Sequence, residues 1–307
     1  MTADVNTPDP TGDMIATRAL SKRYGSTAAL SDVDIRVPTG AVYMLVGENG
    51  AGKSTLLRCL QNLEKADAGT ITVADLDPRR SGARVRARTG YVPEHSAIRA
   101  HRTTIGQWFA ERAVYYPEWD AAYAAALCLQ LRIDTTRRVD ALSKGQTRAV
   151  QLVAAIAFRP AVLLLDEPTD GLDPVARDAF LGLLSGHLAD TGCAVLLSTH
   201  LIHEVDPLVD HVGVLSKGRL VAQGTREDLR QSVKQYCATG PEGWDGPADL
   251  PGILRKERLG REIQWVLRGD QPDVVRRIAA SGGEIRDVTS LSLNDVIVNM
   301  MREKPRS

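Results

Sequence analysis

Apolar and polar positions alternate near the start of the chain, shift to helical spacing in the middle, and give way to short apolar runs after it. Residues 14–20 and 31–37 carry apolar side chains at alternating positions, the pattern of half-buried strands, with Ser21, Lys22, Arg23, Tyr24 and Gly25 as the turn between them. Pro38, Thr39 and Gly40 mark a second turn, which leads into the apolar run Ala41-Val42-Tyr43-Met44-Leu45-Val46. Residues 69–74 read as another short strand, and residues 90–94 close the next, because Pro93 has no N–H to continue a ladder. From about residue 104 to 157 the spacing is helical. Ile105, Trp108, Phe109 and Arg112 share one face of a helix that Pro117 ends. Residues 121–131 form a second helix on Ala125, Leu127, Cys128 and Leu131, and a third opens after Ser143 and runs to Phe158, bounded by Pro160. Residues 161–165 and 193–197 are short, continuously apolar and separated by a helix, as central parallel strands are. A helical subdomain inserted between strands of one α/β sheet accounts for this order.

Beyond Gly224 the character changes. Residues 225–229 resemble a capped helix start, and residues 240–252, rich in Gly and Pro, read as a linker or long loop. Residues 253–259 and 261–267 flank Gly260 like a hairpin. A helix over 273–280, a strand over 283–287 and a helix over 293–301 complete a small α/β appendage at roughly 235–303.

Composition narrows the choices. With 307 residues the chain can bury one large core and a smaller one. Lys and Arg number 38, as do Asp and Glu, so no overall basic field exists to hold nucleic acid. The local exception, Arg79, Arg80, Arg84, Arg86 and Arg88, reads as a solvated face, with a phosphate or lipid patch as the alternative. No apolar run approaches the ~18 residues of a membrane helix. Residues 1–13 are polar, with Pro8, Pro10 and Gly12, and read as a disordered tail rather than a signal peptide. Cys59, Cys128, Cys193 and Cys237 lie far apart, as reduced thiols of a cytosolic protein do.

The chemistry concentrates at Gly47-Glu48-Asn49-Gly50-Ala51-Gly52-Lys53-Ser54-Thr55, between an apolar strand and the helical run Leu56-Leu57-Arg58-Cys59-Leu60. A Gly-x-x-x-x-Gly-Lys-Ser loop in that context wraps backbone N–H groups around phosphates, and the helix N-terminus adds its positive dipole end. Side chains at Gly50 or Gly52 would crowd that approach. Lys53 can reach the terminal phosphates, and the Ser54 hydroxyl is placed to ligate Mg²⁺. Further on, the apolar strand ending in Asp166-Glu167 puts two carboxylates where ligands collect in parallel sheets. Asp166 would hold Mg²⁺, directly or through water, and Glu167 would polarise the attacking water. Ser143 and Gln146, three residues apart, make a capping box; the same geometry, with the Gly145 backbone, is an anion-binding helix N-terminus.

Leu142-Ser143-Lys144-Gly145-Gln146, with 20 residues between Gln146 and Glu167, resembles the signature motif of the ABC (ATP-binding cassette) ATPases. On that resemblance, which covers roughly residues 14–230, residues 47–55 are Walker A and residues 162–167 are Walker B ending in the catalytic glutamate. Asp170-Gly171-Leu172-Asp173 is similar to the D-loop, and Ser198-Thr199-His200 to the switch histidine that senses the γ-phosphate. Tyr24 sits where the family stacks a ring on adenine; its residue-level alternative is a surface aromatic, as that of His200 is a core histidine. Two positions depart from the usual pattern. Glu94 replaces a glutamine and would add a carboxylate to the Mg²⁺ site, while Lys144 replaces a glycine and would either attract phosphate or point to solvent.

The resemblance implies a P-loop NTPase fold of the ABC cassette type. Its RecA-like parallel core would carry an antiparallel β subdomain and a helical subdomain at about 95–158, within an ATPase domain at 14–232 followed by an accessory domain at 233–307. It implies ATP and Mg²⁺ as cofactors and a dimer, homo- or heterodimeric. Walker A of one cassette binds ATP there while Ser143, Gly145 and Gln146 of the other close on it. It implies separate polytopic membrane permease subunits, contacted around Glu94 and the helical subdomain, and a place on the inner face of the cell membrane. Glu94, Lys144, the C-terminal tail and Tyr115-Tyr116-Pro117-Glu118-Trp119-Asp120 resemble the ABC-2-type exporter group. An importer cassette and a soluble ABC-type ATPase share every nucleotide motif.

Overall fold

The computed structural model describes residues 12–95, 98, 102–269 and 272–302. Residues 1–11 of the expected tail lie outside that range, and Asp13, its last residue, already pairs with Pro38. Contacts divide the chain into two units after Leu220 rather than at residue 232.

The first unit opens with β1 (Asp13–Tyr24), β2 (Thr27–Val33) and β3 (Arg36–Pro38), followed by β4 (Val42–Val46), α1 (Lys53–Leu60) and β5 (Ala68–Val73). β1 pairs antiparallel with β2, β3 and β5, which makes a four-stranded sheet. The stretch expected as a turn, Ser21 to Tyr24, is the end of β1; the chain reverses only at Gly25 and Ser26, where Tyr24 pairs with Thr27. The physical reason is an irregular register between Leu20 and Lys22, with Ala19 at φ 47° and Asp32 at φ 52°. Such a bulge breaks the period-2 alternation, so the sequence loses its strand pattern while the strand goes on.

α2 (Pro78–Arg88) has no counterpart among the expected elements. Its N-cap Asp77 accepts from the Arg79 N–H, Pro78 occupies the first turn, and only Pro78 and Val85 are buried, too few to print a helical period. The arginine cluster lies on this helix. Three of its members are fastened rather than free in solvent, Arg79 donating to the Gly69 carbonyl, Arg86 to that of Gln61 and Arg88 to that of Ala74.

β6 (Thr89–Val92) then leads to three helices, α3 (Ile105–Ala113), α4 (Ala121–Gln130) and α5 (Lys144–Ile156). Thr104 with Gln107 and Ser143 with Gln146 close reciprocal capping boxes at α3 and α5, and Asp120 caps α4. α3 stops at Ala113, ahead of Pro117, and Tyr116 stacks on Phe158 at 4.1 Å between ring centroids. β7 (Val162–Asp166), α6 (Pro174–Thr191), β8 (Ala194–Thr199), α7 (Ile202–Val205), β9 (His211–Ser216) and β10 (Arg219–Thr225) complete the second sheet, ordered β10-β9-β4-β8-β7-β6. β9, β4, β8, β7 and β6 run parallel, and β4, β7 and β8 are buried along their whole length. Non-consecutive neighbours mean that β4 lies beside β8, so the loops after β4, β7 and β8 open at one end of the sheet. That end is where the chemistry gathers.

The second unit contains α8 (Arg226–Gln231), β11 (Val233–Thr239), β12 (Ile253–Leu259), β13 (Glu262–Arg268), α9 (Pro272–Ala280), β14 (Glu284–Ser290) and α10 (Leu293–Arg302). Its antiparallel sheet is ordered β12-β13-β11-β14 and packs Trp265, Tyr236, Ile263 and Leu267 against Val274 and Ile278 of α9. The stretch 240–252 is a long loop, but Trp244 anchors it, edge-on to Trp265 and donating its indole N–H to the Ser281 carbonyl at 2.8 Å. Cys59, Cys128 and Cys193 are buried free thiols, pushed by burial up to about 11, 11 and 12. No helix among the described residues is long and apolar enough to cross a membrane.

Candidate functional site

Walker-type geometry begins with backbone. Gly50 and Gly52 adopt φ of 80° and 109°, and Gly52 is the N-cap of α1 without any side-chain cap, so the first N–H groups of α1 are left for a ligand. The need for glycine differs from the crowding expected from the sequence. A Cβ on Gly52 would strike the Ala29 carbonyl, whereas one on Gly50 meets nothing within 4 Å. Gly47, absent from that expectation, lies so close to the Leu215 carbonyl that any side chain would overlap it. The loop is thus shaped by β2 and β9 as much as by its ligand.

Lys53 is 5% exposed and donates to the Gly47 carbonyl at 2.8 Å and to that of Glu48 at 3.4 Å. Its ammonium also lies 3.0 Å from Glu167 Oε1. The other carboxylate oxygen, Oε2, accepts from the His200 N–H at 3.2 Å and faces His200 Nδ1 at 2.9 Å. Glu167 itself is 5% exposed and sits in the left-handed region at φ 45°, where its N–H donates to the Ser198 carbonyl at 3.0 Å. A non-glycine residue held there at a cost of about 1–3 kcal/mol marks a position whose side-chain direction matters. One step back, Asp166 Oδ1 accepts from Ser54 Oγ at 3.1 Å and from Ser198 Oγ at 2.6 Å. The two carboxylates therefore face different partners, Asp166 two hydroxyls and Glu167 a lysine and a histidine.

A cavity of about 280 Å³ opens over these groups, bounded by Tyr24 and Ala29, by Asn49, Gly50, Ala51, Gly52, Lys53, Ser54 and Thr55, and by Glu94 and Glu167. Tyr24, 43% exposed, stands on its rim as the last residue of β1, with the Lys22 ammonium 5.1 Å from its ring centroid. Asp166 and His200 are not among the residues that line it. Ser143, Gly145 and Gln146 line a different cavity, of about 380 Å³, beside α5 and α6. Larger though it is, that cavity holds none of the phosphate-loop residues. Within α5 the plain capping box forms, Ser143 Oγ accepting from the Gln146 N–H at 3.2 Å and Gln146 Oε1 from the Ser143 N–H at 3.1 Å.

Two basic side chains of α5 have partners that the sequence did not show. Lys144, expected either to attract phosphate or to point to solvent, keeps a half-exposed side chain whose ammonium donates to Asp170 Oδ2 at 2.9 Å. That hydrogen bond is the leading reason the Asp170 carboxyl titrates below its usual range. Arg148, one turn further along α5 and 3% exposed, donates to the carbonyls of Pro93 and Glu94, the latter at 2.5 Å. A helix-borne arginine in sequence reads as solvent-facing, and only the fold brings β6 against α5.

The family profile described as ABC transporter matches residues 30–170. A daunorubicin resistance ATP-binding protein (DrrA3) of Streptomyces coeruleorubidus is 37% identical over 68% of this chain and 67% of its own length. A methionine import ATP-binding protein (MetN) of Mesorhizobium japonicum is 32% identical over 71% of this chain and 62% of its own. Among solved structures, an ATP-binding subunit of an ABC transporter superposes with a TM-score of 0.65 at 28% identity, over 71% of this chain and 92% of that one. The phosphate loop, the strand-end carboxylates and these likenesses agree, and the chain belongs to the ABC transporter family as an ATP-binding subunit whose activity is ATP hydrolysis.

Proposed function

We propose that the chain is the motor of an exporter, in which two cassettes close on ATP and separate membrane subunits carry the cargo. The carrying observation is the convergence of Lys53, Glu167 and His200, beside Ser54 and Asp166, on the loops at one end of the parallel sheet. In this reading the uncapped N-terminus of α1 and Lys53 hold the β- and γ-phosphates, and Tyr24 stacks on the adenine. Glu167 takes the proton of the attacking water, and His200, bonded to that carboxylate, contacts the γ-phosphate.

The donor set fits magnesium. Ser54 and Asp166 supply adjacent hard oxygens, Glu94 lines the same cavity, and no cluster of three or more acidic, His or Cys residues stands ready among the described residues. Magnesium suits such a site, since it is held by one or two carboxylates together with substrate phosphates. When bound it would neutralise charge on the phosphate oxygens. Ser143, Gly145 and Gln146 lie outside this cavity, which supports their use by the partner cassette's nucleotide.

We assign the membrane subunit to the cleft between β6 and α3, a cavity of about 230 Å³ lined by Leu63, Arg86, Tyr91, Trp108, Arg112 and Tyr116. Buried Gln61 Nε2 and Thr89 Oγ1 there lack hydrogen-bond partners. Such a seat would keep the chain in the cytoplasm, peripheral to the membrane. Export is favoured by Glu94, by the C-terminal unit and by the relative named for drug resistance; the methionine import relative supports an importer as the second reading.

Glu167→Gln tests the motor. It should bind ATP, lose hydrolysis by about 10²–10⁴-fold and run at doubled mass on a sizing column only with ATP. Wild-type turnover in that variant would remove Glu167 as the base. Co-expression with the polytopic partner should bring the chain into the membrane pellet, and the chain staying soluble would favour an ATPase that acts alone.

A further inference from the structure

α5 sends two cations, Lys144 and Arg148, to two different loops from positions four residues apart on one face. The Lys144 pair is half exposed and readily exchanged with solvent. Arg148 is different. Its guanidinium is buried, and its two terminal nitrogens donate to two consecutive carbonyls, those of Pro93 and Glu94.

Pro93 follows Val92, the last residue of β6, and has no N–H to extend the ladder. Only the fork of Arg148, planar and always charged, spans both carbonyls at once. That clamp fixes the peptide from which the Glu94 side chain projects into the cavity of Lys53, Ser54 and Glu167. Burial lowers the Arg148 pKa, and the carboxylates of Asp170, Asp166, Glu94 and Glu167 oppose that shift.

We propose that Arg148 is a positioning residue that sets Glu94 for the nucleotide-bound cation by clamping the Pro93 and Glu94 carbonyls to the helix that begins at Ser143. The proposal rests on the assignment of Glu94 to the cation made above. It goes beyond that assignment by tying the cation ligand to α5, the helix whose N-terminus we assign to the partner cassette.

The test is Mn²⁺ binding to the full chain with the β,γ-imido analogue of ATP, followed by loss of the free-ion EPR signal, for Glu94→Ala, Arg148→Met, Arg148→Lys and the Glu94→Ala/Arg148→Met double variant. Each single variant should bind Mn²⁺ about 10-fold more weakly, the usual size for losing a group that orients a ligand. The double variant should bind no more weakly than either single one, because both changes remove one arrangement. Arg148→Lys keeps the charge but cannot span two carbonyls, and it should behave as Arg148→Met does; it replaces Met in the cycle if the Met variant does not fold. Losses that add to about 100-fold in the double variant would overturn the coupling, since independent sites add. Wild-type Mn²⁺ binding by the Arg148 variants beside a weakened Glu94→Ala would overturn this proposal alone. Wild-type binding by Glu94→Ala would overturn the Glu94 assignment, and Arg148 with it.

Discussion

Lys53 and Glu167 form an ion pair whose side chains are each 6% exposed. Replacing Lys53 with Met removes the cation and leaves a carboxylate buried against the sheet. Breaking a buried pair from one side costs about 3–5 kcal/mol, because the remaining charge loses its compensation without regaining water. Here Glu167 keeps the His200 N–H and ring nitrogen on its other oxygen, which places the loss at the lower end, about 3 kcal/mol. For a unit of roughly 200 residues that corresponds to a fall in melting temperature of about 6–12 °C. Adding Glu167→Gln removes the orphaned charge, so the double variant should recover most of that fall. Neither variant should bind ATP, since the phosphates still lack Lys53. Circular dichroism melting without nucleotide reads the first quantity, and titration with a fluorescent ATP analogue reads the second. A Lys53→Met protein that melts with the wild type, or a double variant no more stable than Lys53→Met, refutes the idea that each partner of this buried pair compensates the other's charge.

Other perturbations separate parts of the site and its support. Gly52→Ala should cost about 2–3 kcal/mol in urea unfolding without nucleotide, because φ 109° and the Ala29 carbonyl both resist a Cβ, while Gly50→Ala should cost only about 1–2. Equal losses would mean that protein packing does not distinguish them. Lys144→Met should raise the Asp170 carboxyl pKa toward its ordinary value in an NMR titration, yet change stability by less than about 1 kcal/mol, as half-exposed pairs do. His187, 1% exposed with Nδ1 3.0 Å from the Tyr123 hydroxyl, has its pKa lowered by burial, and secondarily by Arg159, to about 4. The unfolded chain takes up that proton near pH 6.5 and the folded chain does not, so stability falls as pH drops from about 6.5 to 4, by up to about 3 kcal/mol. His187→Leu should flatten that part of the unfolding-against-pH curve, and an unchanged slope refutes the assignment.

What the sequence could and could not say follows from where each signal resides. The phosphate loop is local, nine consecutive residues whose backbone does the binding, and its strand and helix flanks stand where the apolar pattern puts them. The central strands were legible for the same reason: β7 and β8, buried on both faces, print continuous apolar runs. β1 past Leu20 was not, because a bulge spoils the alternation on which recognition depends. α2 was not, because a helix with two buried residues and five arginines carries no face to detect. Its stability comes from Asp77, Pro78 and the strand it leans on.

The site residues divide along the same line, and the division is informative about mechanism. Ser54, Asp166 and Glu167 belong to segments whose residue types announce a phosphate and a metal. Arg148 announces nothing and Lys144 does not announce its partner, since a basic residue on a helix is usually in water. Their roles arise only when α5 is laid against the loops that follow β6 and β7, 55 and 26 residues away in sequence. Residues that bind nucleotide can be local because the ligand is small. Residues that tell one loop where a helix stands must be distant in sequence, since they measure how the helical subdomain sits on the sheet. A machine that converts hydrolysis into movement needs the second kind as much as the first, and Arg148, at once fully buried and donating to both Pro93 and Glu94, is the side chain built to report it.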